Sequence, residues 1–216
     1  MKRIFSVFLI TILMCSLPLN VYANCTNEQA VTVDDLFSKA TTLFPDAPLP
    51  ERPSSPALRN PSSNDIIWSD IVTNDCGNTT RLDIYSDGAC VLLEIVPDRQ
   101  TRDNLTISNS GNSYTIIWSW FSGLNYHRVH LYATRLYSSS NGYYFQTPSS
   151  NSANATGVTI TSVYGSGNPC RTETFHGNVF DIDEYGYVDY LFGLELNGYV
   201  SSAGTVTADY SYGICY

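Results

Sequence analysis

From Asp65 to the end of the chain, apolar and polar residues alternate in short runs broken by turn residues. The runs "DIIWSDIV" (65–72), "TRLDIY" (80–85), "ACVLLEIV" (89–96), "SYTIIWSW" (113–120) and "YHRVHLYATRLY" (126–137) are rich in β-branched and aromatic side chains. So are "YYFQT" (143–147), "GVTITSVYG" (157–165), "RTETFHGNVFDI" (171–182), "YVDYLFGLEL" (187–196) and "TVTADYSYG" (205–213). A period of two in such residues predicts strands, and "NLTIS" (104–108) reads as one more. Asp87-Gly88, the Gly/Asn stretch at 109–112 and "SSSNG" (138–142) supply turns between them. Short strands at this spacing predict an all-β fold, an antiparallel sandwich or barrel-like domain. No long helix is available to cover a parallel sheet, which argues against the α/β classes.

The pattern changes once, at "TVDDLFSKATTLF" (32–44). Leu36, Phe37, Ala40, Leu43 and Phe44 recur at helical spacing, and Thr32 with Asp35 resembles a capping box. A short amphipathic helix docking on the main domain is expected. The segment 45–64 holds six of the ten prolines, which bars it from a helix or a sheet interior and makes it a linker or surface arm.

Lys2 and Arg3, the apolar run 4–15 and Val21-Tyr22-Ala23 have the form of a secretory signal peptide, and the run is too short for an ordinary membrane span. The expected organisation is a signal peptide (1–23), an N-terminal helix with a proline-rich linker (24–63) and an all-β domain (64–216). Export to the periplasm, the cell surface or the medium follows. A net charge of −9, more negative still without Lys2 and Arg3, makes nucleic acid an unfavourable partner.

In an oxidising compartment, Cys25, Cys76, Cys90, Cys170 and Cys215 read as disulfide formers, with one left over. Cys76–Cys90 and Cys170–Cys215 are the expected bridges. Cys25 is then the odd thiol, placed for self-association.

"DIDEYGYVDY" (181–190) is the most acidic stretch. An EF-hand register puts Tyr185 and Phe192 where oxygen ligands are needed, so it fails. A hairpin with Glu184-Tyr185-Gly186 as its loop puts Ile182 across from Val188 and Phe180 across from Tyr190. It also sets Asp181 against Asp189, where a cation would relieve repulsion; Asp181, Asp183 and Asp189 are therefore a candidate calcium site. His127 and His130 point to opposite faces of one strand and cannot share a metal. Asp83, Glu94, Glu173 and Glu195 are carboxylates that could line a cleft, although no spacing singles them out. No nucleophile elbow occurs.

The aromatics offer a different resource. Exposed Tyr or Trp beside Asn and Asp can stack on sugars and bond their hydroxyls. Trp118 and Trp120 share a strand face; with Tyr132 they are the candidate aromatic platform. The expected role is a secreted or surface-associated, non-catalytic binding or structural protein, with a glycan or a protein surface as its partner. The alternative is a secreted glycan-acting hydrolase using a carboxylate pair.

Overall fold

A computed structural model describes residues 32–49, 65–97, 113–122 and 125–216. Among the described residues one helix, α1 (Val33–Leu43), precedes eleven strands. These are β1 (Ile66–Thr73), β2 (Thr79–Tyr85), β3 (Cys90–Pro97), β4 (Ser113–Ser122), β5 (Asn125–Ser138) and β6 (Gly142–Phe145), then β7 (Ala153–Thr156), β8 (Val158–Ser166), β9 (Thr172–Ile182), β10 (Val188–Val200) and β11 (Val206–Gly213). The expected all-β class is observed. "NLTIS" lies outside the described residues, and β7 falls in a stretch whose polarity gives no strand signal.

The strands form two antiparallel meanders. A seven-stranded sheet runs β1-β2-β3-β4-β5-β6, and β7 shares the outer edge of β5 with β6. β6 pairs with Arg135–Ser138 and β7 with Arg128–Leu131, so one long strand is flanked by two short ones. A four-stranded sheet, β11-β10-β9-β8, packs against it.

Alternation along the strands sorts side chains between the faces. Val91, Leu93, Ile116, Trp118, Trp120, Val129 and Leu131 from the large sheet meet Phe175, Val179, Phe192, Leu194 and Leu196 from the small one. Trp120 meets Phe192 edge-on at 5.2 Å, and Trp118 meets Tyr212 at 6.3 Å. Each such side chain contributes roughly 1.5–3 kcal/mol by leaving water.

The other face of the large sheet carries Leu82, Ile84, Cys90, Leu92 and Phe121, and α1 covers it with Val33, Leu36, Ala40 and Phe44. The helix begins as its sequence predicts. Thr32 Oγ1 accepts from Asp35 N at 3.2 Å while the Asp35 carboxylate accepts from Thr32 N at 3.1 Å. Beneath it Lys39 Nζ pairs with Glu94, which is 2% exposed.

At the edge of the sandwich, Asp83 is a polar clasp between the sheets. It accepts from Arg81 Nε at 2.9 Å, from the Tyr210 hydroxyl at 2.6 Å and from Ser69 Oγ. Arg81 lies over the Tyr210 ring and reaches past β11 to Asp209 at 3.1 Å. Burial raises the Tyr210 hydroxyl well above its ordinary pKa, and the neighbouring Tyr212, Tyr85 and Asp83 add to the effect. It therefore stays a donor to Asp83.

Neither expected disulfide forms: Cys90, Cys170 and Cys215 are free thiols. Cys76 is disulfide-bonded, but to none of these three. The reason is strand length. Cys76 sits in the turn before β2, whereas Cys90 pairs with Ile84 near the far end of that strand. Cys170 precedes Thr172, which pairs with Tyr199, while Cys215 follows Gly213, which pairs with Gly193. Each expected bridge would have to span about 20 Å at ~3.3 Å per residue, far beyond disulfide reach. Cys25 also lies outside the described residues.

Candidate functional site

The acidic hairpin adopts the register read from the sequence. Val188 pairs with Ile182, Asp189 with Asp181 and Tyr190 with Phe180. Gly186 takes φ 86°, a left-handed conformation that suits glycine at this loop position. The carboxylates are nevertheless not gathered for a cation. Asp183 Oδ1 accepts from Tyr185 N at 2.9 Å and Tyr187 N at 2.8 Å, which stiffens the tip. Asp181 Oδ1 accepts from His127 Nε2 at 3.0 Å, across to the other sheet. Among the described residues no group of three or more His, Cys, Asp or Glu is placed to hold a metal ion. The calcium expectation for Asp181, Asp183 and Asp189 thus lacks the clustering it needs.

The aromatic platform is corrected in its location. Trp118 and Trp120 are 0% and 2% exposed and belong to the inter-sheet core. Tyr132 is exposed but lies on the other face of the large sheet, paired with Thr115 and set against His130. The three cannot form one surface.

A different aromatic surface exists on the outer face of the four-stranded sheet. Register stacks its outward-pointing residues in transverse rows across β8, β9, β10 and β11, with Thr174 and Asn197 buried beneath their neighbours at 5% and 9% exposure. One row is Tyr164, Thr174, Asn197 and Asp209; the next is Ser162, His176, Glu195 and Ser211. Beside them Thr172, Tyr199 and Thr207 form part of a third.

Hydrogen bonds fix these side chains. Thr174 Oγ1 donates to Asn197 Oδ1 at 2.6 Å, and Asn197 Nδ2 donates to Glu195 Oε1 at 2.7 Å. His176 Nε2 donates to the remaining Glu195 oxygen at 3.1 Å. The imidazole stacks on Tyr216 with centroids 4.3 Å apart and planes 4° apart, and Tyr164 meets it edge-on at 5.4 Å. Tyr164, Tyr199 and Tyr216 are all exposed. Burial, then Asp209 and Glu195, raise the Tyr199 pKa; burial, then Glu195 and Tyr164, raise that of Tyr216. Both hydroxyls remain neutral donors at physiological pH.

The C-terminal residues lie back over one end of this face. Asn178 clasps Tyr216 through both amide atoms, Oδ1 accepting from Tyr216 N at 2.7 Å and Nδ2 donating to Tyr216 O at 3.1 Å. Gly193 makes the approach possible, because a Cβ there would lie 2.4 Å from Ile214 O. The result is a rigid, open surface with aromatic rings beside hydrogen-bonding groups of both kinds.

The four carboxylates raised for a hydrolase do not pair across a cleft. Asp83 serves the clasp, Glu94 lies beneath α1, Glu173 is buried in the core and Glu195 sits on the outer face. An open groove of about 560 Å³ runs between β6 and the β8–β9 turn. Its lining includes Tyr144, Gln146, Asn168 and Cys170 but no carboxylate and no histidine.

The sequence does signal the outer face. In β10 Glu195, Asn197 and Tyr199 alternate with Leu194, Leu196 and Gly198. What it does not supply is the register that sets these residues beside His176 and Tyr164. Comparison with protein-family models, with curated proteins and with solved structures finds no match for this chain.

Proposed function

We propose that this is an exported, non-catalytic binding protein that holds a carbohydrate on the outer face of its four-stranded sheet. The observation that carries the reading is the Tyr164–His176–Tyr216 aromatic group beside Glu195, which is held in place by the buried Asn197 and Thr174 behind it. A sugar presents apolar ring faces for tyrosine and hydroxyls for Glu195, Ser162 and Ser211, which are not buried. Preset side chains reduce the ordering cost of binding. Export is supported by the N-terminal charge and apolar pattern, and the negative charge disfavours nucleic acid. No helix among the described residues is long and apolar enough to cross a membrane.

The hydrolase alternative has less support. A glycosidase needs two carboxyls several ångströms apart across a cleft, and the named carboxylates occupy separate environments.

The test is a glycan array probed with wild-type protein and with Tyr164→Ala. The wild type is expected to retain a restricted set of oligosaccharides. Tyr164→Ala is expected to lower their affinity about tenfold, the equivalent of about 1.4 kcal/mol. Release of reducing sugar from any bound oligosaccharide would favour the hydrolase instead.

A further inference from the structure

The β9–β10 hairpin ends in a second surface that the sugar-binding reading does not use. Every residue from Ile182 to Tyr190 is exposed, so this tip projects from the sandwich. Yet it carries large apolar groups. Ile182 is 64% exposed, Val188 51% and Tyr190 52%, and the two cross-strand pairs Ile182–Val188 and Phe180–Tyr190 form an apolar ladder on one face. Tyr185 in the loop and Tyr187 on the hairpin's other face are 77% and 73% exposed. A contiguous exposed apolar patch of this kind marks an interaction surface.

The hairpin is also held in shape. Asp183 N donates to Tyr187 O at 2.9 Å and Gly186 N donates to Asp183 O at 3.0 Å, while the Asp183 side chain caps two further amides. The bond from His127 to Asp181 ties its base to the large sheet. Such preorganisation lowers the cost of docking.

Charge selects the occupant. Glu184 stands in the loop at the end of the ladder, Asp183 and Asp189 alternate with the ladder residues on the hairpin's other face, and residues 181–190 contain no Lys or Arg. A second copy of the chain would bring the same carboxylates together in a protein whose net charge is already −9. We infer that the hairpin is a docking finger for a partner protein whose surface joins an apolar groove to Lys or Arg side chains. Apolar contact supplies affinity and opposite charge supplies orientation and on-rate.

The test pans a random peptide library, displayed on phage, against the purified protein. Selected peptides are expected to combine Lys or Arg with aromatic or aliphatic residues. Their affinity should fall at least tenfold for Ile182→Ser/Val188→Ser and at least threefold for Glu184→Lys, with melting temperatures lowered by no more than a few degrees, the cost of one exposed cross-strand pair. Tyr164→Ala should leave the peptides bound, which separates this surface from the sugar face. Failure to select any peptide, a selection without basic residues, or equal binding to the serine variant overturns the inference. So does self-association, read by sedimentation, that disappears in the serine variant, since the occupant would then be a second copy.

Discussion

Replacing Lys39 with methionine is expected to destabilise the protein by about 3 kcal/mol, the lower end of the cost of breaking a buried ion pair. Lys39 is the only lysine in the chain apart from Lys2. Its ammonium meets Glu94 at the interface between α1 and the large sheet, with side-chain exposures of 28% and 3%. Among the described residues Glu94 Oε2 has no hydrogen-bond partner, so the ammonium is what balances this carboxylate. Methionine keeps the aliphatic stem and removes the charge, leaving Glu94 buried and uncompensated. Adding Glu94→Leu should recover most of the loss, because an apolar pair of similar volume removes the desolvation penalty altogether. Urea unfolding of both variants measures the effect. A Lys39→Met protein within 0.5 kcal/mol of wild type would show that the pair contributes nothing to docking the helix.

The second large effect depends on pH. Glu173 is 1% exposed on β9, between Gly165 of β8 and Gly198 of β10, and among the described residues its Oε1 has no hydrogen-bond partner. Burial pushes its pKa up to about 8 from an ordinary value of 4.5. The folded state therefore holds a proton that the unfolded state releases between those two values. Stability must fall as pH rises from about 4.5 to about 8, by up to about 1.4 kcal/mol per pH unit, and level off above that. Glu173→Gln removes the ionisation while keeping the shape. It is expected to match the wild type near pH 4 and to exceed it by on the order of 3 kcal/mol near pH 8. Denaturant unfolding across that range gives both curves. Parallel curves would mean that the carboxyl finds a solvated or paired environment.

Local patterns were well expressed in the sequence. The capping box at Thr32 and Asp35 and the spacing of Leu36, Ala40 and Phe44 describe α1 as it is observed. The 181–189 register was legible because only one loop length keeps Ile182, Val188, Phe180 and Tyr190 on a common face. That pattern gives no measure of burial: the shared face is exposed beyond the sandwich, whereas the tryptophans that looked able to form a platform are sealed inside it.

Long-range pairing was less legible. The cysteines stood close in sequence or at promising strand ends, but each pair occupies opposite ends of the strand that separates it. The outer face needed three strands in register before Tyr164, His176, Glu195 and Tyr199 became neighbours. Alternation within one strand names a polar face; it does not say what lies beside it.

An NMR titration of isotopically labelled protein with its strongest array oligosaccharide tests the sugar-binding face most directly. Backbone shifts are expected at Tyr164, Thr174, His176, Glu195, Asn197 and Tyr199, with the hairpin tip and the groove beside Cys170 unaffected. Shifts confined to the tip or that groove, or a fully saturated complex whose outer-sheet signals do not move, would contradict it.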